Sequence, residues 1–432
     1  MRQKIFTLFS SLMLLACRPE SSDEDVRAEV RRLMLEVESR ASFRVALSPE
    51  QLAKHRQNLE LIHEKIPAGY PEPFVPQGAL EESTYDPRLV VTPQLNRDWV
   101  ELGQKLFKEK ALSFSASSRT QGDISCQSCH LPDQRFTDGL ALSKGVEGDL
   151  THRNSPTLLN VAYLSTLTWA NPIFPVLEMQ ARIPLFGDDP IEMGLKGREA
   201  KIFPQLMAQD PSYLTKFAQA FSLPELEGPR DPRLNYNLMT AALGAYQRTL
   251  IDFGTSFDRW LQGSDDSEAF DEQEMQGLKL FYGLEVLRSG DRLSCAQCHS
   301  GVLMTDSFQY VRDGVLVSHR EFHNTGLYNL DGRGAYPPKN TGFASDAELE
   351  EHPEWMGRFR TPPLRFVADT APYGHDGSLP TLTAVIEHYA AGGRASQSEF
   401  GQNPYVDERV RSGFRIDSDE KEALIAFLRS LR

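Results

Sequence analysis

The sequence predicts a mainly α-helical protein with two similar domains and long loops, preceded by an N-terminal extension. A segment with the pattern Gly-x-Lys-Leu-Phe followed by Cys-x-x-Cys-His occurs twice, about 170 residues apart, a spacing much longer than a solenoid repeat. Strand-like alternation of apolar and polar residues is scarce. The chain has 432 residues, which is too many for one small core.

The N-terminus predicts export. Residues 1–17 have a basic start and an apolar run too short to span a bilayer, and they end in Leu-Leu-Ala-Cys, which is typical of a bacterial lipoprotein signal. We expect Cys17 to be acylated and to anchor the protein in the periplasm, with the outer membrane favoured. The alternative is an ordinary secretory signal in which Cys17 has no role.

Three further segments follow the signal. Residues 18–95 are predicted to be a tether and packing arm, with helical periodicity over Val26–Glu38 and Pro49–Glu64. Residues 96–265 and 266–432 each contain one copy of the duplicated pattern. Apolar periodicity predicts helices over 231–262 and 418–431 that close these two domains.

Charge and cysteine content narrow the function. The net charge of −14 argues against a nucleic-acid partner, because phosphate binding needs a basic surface. Of the five cysteines, Cys17 belongs to the signal and the other four belong to the two Cys-x-x-Cys-His motifs. None remains for a structural disulfide.

The two motifs predict covalent haem c. Two thiols three positions apart can add to the two vinyl groups of one haem, and the adjacent histidine then coordinates the iron. The alternative is a zinc site with four cysteines, but the pairs are far apart and a histidine directly follows each. We therefore predict two cytochrome-c-like domains, each with one haem; the attachment residues are Cys126, Cys129 and His130, and Cys295, Cys298 and His299.

Four motifs make residues 95–432 resemble the bacterial di-haem cytochrome c peroxidase and MauG superfamily. They are the first Gly-x-Lys-Leu-Phe segment with its haem motif, 153–158, 190–193 and 370–377. Three further segments are similar to the MbnH-like branch, whose members use peroxide to oxidise a tryptophan of a partner protein; these are 167–172, 184–187 and 322–329.

The resemblance implies a sixth ligand for the second haem. Peroxidases of this superfamily carry Met fourteen residues after the histidine that matches His375, whereas MauG-like proteins carry Tyr, and this chain has Tyr389 there. A phenolate stabilises oxidised iron, whereas Met raises the reduction potential. The neighbouring His388 is the alternative ligand.

The resemblance also implies a peroxide site at the first haem. Segment 144–148 lacks the distal histidine that many peroxidases have, so we expect an open, five-coordinate iron. Glu192 matches the catalytic glutamate that moves protons between the peroxide oxygens. Gln180 matches a glutamine of the same pocket, although its spacing from Glu192 is two residues longer than usual. Trp169 matches the aromatic residue that relays charge between the haems.

The resemblance implies one calcium ion between the domains. The matching ligands are the Asn154 side chain and the backbone carbonyls of Thr370 and Pro372, and oxygen donors of this kind suit calcium.

Together these features predict a periplasmic enzyme that uses hydrogen peroxide to reach a high-valent di-haem state and then oxidises a partner protein. One alternative is a cytochrome c peroxidase that takes electrons from a small cytochrome or copper protein. Another is a non-enzymatic electron carrier in which both irons have six ligands.

Overall fold

The computed structural model describes residues 22–77, 93–173, 175–263, 270–293, 295–394 and 400–432. The signal segment 1–17, with Cys17, lies outside these ranges. The described chain is mainly helical, as predicted, and none of its helices combines the length and the apolar character that crossing a membrane requires.

Helices provide most of the regular structure, and the strands are short. The helices are α1 (Asp23–Ser39), α2 (Pro49–Leu59), α3 (Arg97–Phe107), α4 (Cys126–Cys129), α5 (Leu177–Gln180), α6 (Arg182–Phe186), α7 (Ile202–Gln209), α8 (Ser212–Ala220), α9 (Tyr236–Arg248), α10 (Ser256–Gln262), α11 (Glu272–Phe281), α12 (Asp346–Glu351), α13 (Leu382–Ala390), α14 (Glu408–Arg411) and α15 (Ser418–Arg429). The strands are β1 (Phe43–Ala46), β2 (Glu72–Pro73), β3 (Phe114–Ser115), β4 (Thr120–Gln121), β5 (Phe308–Arg312), β6 (Val315–His319), β7 (Phe322–His323) and β8 (Phe359–Arg360).

The duplicated sequence pattern forms a duplicated helix crossing. Helix α3 packs on α9, and α11 packs on α15. A Cβ atom at Gly103 would lie 1.9 Å from the carbonyl oxygen of Ala242, and one at Gly277 would lie 1.9 Å from that of Ala423. Only glycine allows the two backbones to approach this closely. The glycine of each repeat is therefore required by packing.

The closing helices differ from the prediction in one respect. The segment 231–262 forms two helices, α9 and α10, because the Asn160 side chain hydrogen-bonds both backbone groups of Asp252 between them. Its Nδ2 donates to the Asp252 carbonyl at 2.7 Å, and its Oδ1 accepts from the Asp252 amide at 2.9 Å. The last helix begins where Asp417 and Glu420 form a capping box, which satisfies the free amides of its first turn.

The N-terminal extension contains both predicted helices, α1 and α2, and also two strands that the sequence did not predict. Strands β1 and β2 flank the β5–β6 hairpin in an antiparallel sheet of order β1-β6-β5-β2. The arm also reaches the second haem motif: Arg40 donates to the Gln297 carbonyl at 2.8 Å, and Ser300 donates to the Leu33 carbonyl at 3.3 Å. The extension therefore packs against the loop that carries this motif.

Candidate functional site

The first Cys-x-x-Cys-His motif forms the short helix α4, and His130 directly follows it. The His130 Nδ1–H group donates to the Phe136 carbonyl at 2.9 Å, which leaves Nε2 as the nitrogen for a metal. Burial lowers the pKa of His130 and keeps the imidazole neutral, which is the form that coordinates iron.

The second motif repeats this arrangement. The His299 Nδ1–H group donates to the Met304 carbonyl at 3.1 Å, and burial again lowers the histidine pKa. Both accepting residues have left-handed backbones, with φ of 59° at Phe136 and 56° at Met304. The same turn therefore orients both imidazoles, as haem ligation requires.

A cavity of about 310 Å³ lies beside the second motif. Helices α11, α13 and α15 supply much of its apolar wall, and Cys295, Cys298 and His299 line it. An apolar cavity that contains two thiols and a neutral imidazole matches the chemistry of a covalently attached haem. The residues present therefore fit the predicted cofactor; the apolar side chains from the three helices are Phe281, Leu382, Val385, Ile386, Leu424 and Leu428.

Tyr389 and His388 both line this cavity, but they have different surroundings. Burial, together with the nearby Cys298 and Cys295 thiols, raises the pKa of Tyr389. His388 Nε2–H instead donates to the Thr325 carbonyl at 2.8 Å, and burial lowers its pKa to about 4. Both side chains therefore reach this cavity, and Tyr389 is the one that the family resemblance assigns to the haem.

Glu192 lies in the loop after α6 and belongs to the surroundings of the first motif. Burial raises the pKa of its carboxyl group to about 7. Burial also raises the pKa of the Cys126 and Cys129 thiols, and the charge of Glu192 adds to both shifts. The structure thus brings Glu192 and the first attachment site together.

The segment 144–148, which lacks a distal histidine, packs against the backbone of Glu192. The Val146 amide donates to the Glu192 carbonyl at 2.8 Å. A Cβ atom at Gly145 would lie 2.0 Å from the Ile191 carbonyl oxygen. This close approach requires glycine and holds the loop against the backbone of Ile191 and Glu192.

Gln180 ends α5, and a buried ion pair anchors this helix. Glu178 accepts hydrogen bonds from the two terminal guanidinium nitrogens of Arg248 on α9, Nη1 and Nη2, the latter at 2.9 Å. Both side chains are almost fully buried. The segment that carries Glu192 is tied to α6, the next helix, because the Met193 amide donates to the Pro184 carbonyl at 2.9 Å. Gln180 therefore ends an anchored helix, and the loop with Glu192 is bonded to the helix that follows it.

Trp169 connects the two halves of the chain. Its Nε1–H group donates to the Asn154 carbonyl at 2.8 Å, and its own carbonyl accepts from the Arg360 amide at 2.8 Å. Trp169 also lines the cavity of the second motif. Trp169 is therefore bonded to both halves of the chain and also faces the cavity of the second motif.

The contacts of Trp169 occupy equivalent places in the two halves. Asn154 lies two residues before Pro156, whose backbone interacts with His130. Arg360 lies two residues before Pro362, whose backbone interacts with His299 in the same way. Four residues after each proline, a left-handed residue begins a 3-10 turn. Trp169 therefore forms hydrogen bonds with equivalent positions in the two halves of the chain.

The predicted calcium ligands are residues of the same cavity. Asn154, Thr370 and Pro372 all line the cavity of the second motif. The Asn154 Nδ2 group donates to the Leu140 carbonyl at 2.8 Å, so Oδ1 is the side-chain atom that could bind a cation.

Comparisons with known proteins agree with this geometry. Residues 97–266 match the family model for di-haem cytochrome c peroxidase. The chain is 32% identical over 331 residues to the methylamine utilization protein MauG of Methylophilus methylotrophus, covering 76% of this chain and 81% of that protein. The chain belongs to the di-haem cytochrome c peroxidase and MauG family.

Two further similarities support the family assignment. The chain is 31% identical over 352 residues to the cytochrome-c peroxidase IdrP1 of Denitromonas iodatirespirans, covering 78% of this chain and 82% of that protein. It is also similar to the crystal structure of a MauG-like protein associated with microbial copper homeostasis, with 36% identity and a TM-score of 0.67 over 81% of this chain and 95% of that one. As a member of this di-haem peroxidase family, the protein holds two haems and is a peroxide-dependent oxidoreductase.

The sequence alone assigns no role to two histidines of this di-haem peroxidase. His323 lines the cavity, and its ring nitrogens contact Asp306 at 2.7 Å and Asp407 at 2.9 Å. Burial opposes protonation, but hydrogen bonds to the two carboxylates raise the pKa of His323 to about 12. His375 lines the same wall and stacks on Phe359, with 3.6 Å between ring centroids. Only the tertiary fold brings these partners together.

Proposed function

We propose that the protein is a periplasmic di-haem enzyme of the MauG type that uses hydrogen peroxide to oxidise a residue of a partner protein, as in the MbnH-like branch. The observation that supports this most directly is Tyr389, rather than Met, on the cavity wall beside the second pair of haem thiols. The acyl anchor proposed for Cys17 would hold the enzyme at a membrane surface.

Two domains would each hold one haem. We assign the first haem to Cys126, Cys129 and His130 in residues 96–265. We assign the second to Cys295, Cys298 and His299 in residues 266–432, with Tyr389 as its sixth ligand. When bound, the haems supply the redox chemistry that accepts two oxidising equivalents from peroxide.

Glu192 would perform the proton chemistry. A carboxylate can accept the proton from one oxygen of hydrogen peroxide and return it to the other oxygen, which then leaves as water. A pKa of about 7 suits both transfers near neutral pH, because the group binds and releases a proton with equal ease. Gln180, held by the anchored helix α5, would orient the peroxide by hydrogen bonding.

Trp169 would pass charge between the two sites. Peroxide reduction to two waters consumes two electrons and two protons, and the partner residue supplies both electrons. A tryptophan or tyrosine of the partner would then lose two hydrogens or gain one oxygen from water. The hydrogen bonds from Trp169 to Asn154 and from Arg360 to Trp169 fix the indole for this relay.

Trp355 is better placed than Trp260 to pass oxidising equivalents from the enzyme to the partner. Trp260 is 3% exposed, whereas Trp355 is half-buried and stacks on the exposed His352 with 4.2 Å between centroids. Aromatic contacts lead inward from Trp355 to Phe343 at 5.5 Å and on to Phe322 at 4.9 Å. Phe322 directly precedes His323, which lines the haem cavity.

Partner oxidation can be tested with the purified enzyme, hydrogen peroxide and the product of a neighbouring gene for an exported protein. Mass spectrometry is expected to show oxygen added to, or hydrogen removed from, a Trp or Tyr of that partner. Trp355→Phe is expected to slow this modification at least tenfold while the reaction with peroxide is unchanged; Phe400→Leu, which changes another exposed aromatic residue, is the control. Rapid consumption of a reduced small cytochrome with no modified partner would instead support the cytochrome c peroxidase function.

Tyr389→Met is expected to raise the reduction potential of the second haem, because a neutral thioether replaces an anionic oxygen ligand. It is also expected to shorten the lifetime of the doubly oxidised state. A redox titration followed by haem absorbance measures the first effect. His388→Ala is the matched variant: if it changes the potential and Tyr389→Met does not, His388 is the ligand.

We also propose one calcium ion held by Asn154 Oδ1 and the carbonyls of Thr370 and Pro372. The hydrogen bond from Trp169 to Asn154 would link this ion to the relay residue. Elemental analysis is expected to find one calcium per chain, and less in Asn154→Ala.

A further inference from the structure

Three arginines of the described chain are almost completely buried: Arg248, Arg360 and Arg365 are each 2% exposed. Arg248 forms a bidentate pair with Glu178, and Arg365 pairs with Asp258 at 2.7 Å. Arg360 forms no ion pair with any described residue. A buried charge without a counter-charge is strongly disfavoured, so this guanidinium calls for an anion from another source.

The contacts that Arg360 does make are neutral. Its Nε–H donates to the Thr168 carbonyl at 3.0 Å and its Nη1 to the Thr361 carbonyl at 3.3 Å. Its guanidinium carbon lies 5.8 Å from the centroid of the Trp169 ring. The nearby carboxylate of Asp306 bonds His323 through Oδ2 at 2.7 Å and forms neither a hydrogen bond nor an ion pair with Arg360.

The position of Arg360 indicates which kind of anion would suit it. Arg360 lines the cavity that also contains His299, Cys295 and Cys298. A haem attached there brings two propionate groups, each of which is an anion at neutral pH. A guanidinium is well suited to bind a carboxylate through two parallel hydrogen bonds.

We propose that Arg360 is the ion-pair partner of a propionate of the second haem. This rests on the proposed placement of that haem in the cavity. Because the same guanidinium lies over the Trp169 ring, Arg360 is a positioning residue that couples the haem edge to the relay tryptophan. The positive charge of Arg360 over the Trp169 ring makes the indole harder to oxidise. A propionate paired with Arg360 would neutralise that charge and so weaken this effect.

Arg360→Gln tests this through the potential of the second haem. Loss of a nearby positive charge favours the ferric form, so we expect the equilibrium constant for reduction to fall about tenfold, which is about 59 mV for one electron. Arg360→Lys keeps the charge and is expected to restore most of the potential. Arg358→Gln, which removes a charge two residues away outside the cavity wall, is the control. Equal shifts in Arg360→Gln and Arg358→Gln would overturn the proposal.

A second measurement covers the case in which Arg360→Gln does not fold. In Arg360→Lys, resonance Raman spectroscopy is expected to show a shifted propionate bending band for the second haem, because a bidentate contact is lost. An unchanged band would overturn the proposal. Haem staining of the wild-type chain separates the two hypotheses: a single attached haem would reject the haem assignment itself, whereas two haems with an unchanged band reject only the role of Arg360.

Discussion

Replacing Glu192 with Gln is expected to slow the reaction with hydrogen peroxide by about 10²–10⁴-fold. The amide keeps the shape of the side chain but cannot accept the proton of the bound peroxide. The surroundings of the first haem motif also lack a histidine in segment 144–148 that could replace it. Stopped-flow absorbance of the haem after mixing with peroxide measures the rate.

Glu147→Gln is the matched control. Glu147 lies on the loop that packs against Glu192, but its carboxylate faces outward and accepts hydrogen bonds from the Ala116 and Ser117 amides. This variant removes the same charge from the same region without touching the proposed base. Equal rates for the wild type and Glu192→Gln would reject Glu192, and equal losses in both variants would indicate a general charge effect.

The pH dependence of the same reaction gives an independent check. Burial raises the pKa of Glu192 to about 7, so the carboxylate is the main form above pH 7 and the neutral acid is the main form below it. Because the base must be ionised, the rate with peroxide is expected to fall as the pH decreases through about 7. Glu192→Gln should remove this step from the profile, whereas Glu147→Gln should keep it.

Local signals explain the helices that the sequence predicted. Helix α15 begins at the capping box of Asp417 and Glu420, which is a pattern within four residues, and its apolar stripe is periodic. Strands β1 and β2 were missed because they are short and pair with residues far away in sequence: Phe43 pairs with Ser318, and Pro73 pairs with Tyr310. Pairing over such distances leaves no periodic trace.

The candidate site was predicted to an uneven degree for the same reason. Both haem motifs could be identified from contiguous residues, and the repeated glycines Gly103 and Gly277 marked a duplication whose packing cause only the structure shows. Glu192 came from a family resemblance, whereas its raised pKa depends on tertiary burial. Arg360 lacks an ion-pair partner among the described residues because the tertiary fold brings no carboxylate into contact with it, and no sequence pattern predicts such an arrangement.

Replacing both Cys295 and Cys298 with Ala is expected to leave one covalent haem per chain. The described residues that line the second cavity would then include no thiol, so no thioether bond could form with them, while the first motif is unaffected. The intact mass should fall by one haem, in addition to the two lost sulfur atoms, and haem staining should be roughly halved.

The same variant separates the roles of the two haems. Peroxide should still react at the first haem, because Glu192 and His130 are unchanged, but oxidation should not extend to a second iron. The reciprocal variant, Cys126→Ala with Cys129→Ala, should keep the other haem and lose the fast reaction with peroxide, because the haem beside Glu192 is then absent. Two haems retained in either double variant would contradict the attachment sites. A fast peroxide reaction in the reciprocal variant would instead place the peroxide site at the second haem, away from Glu192.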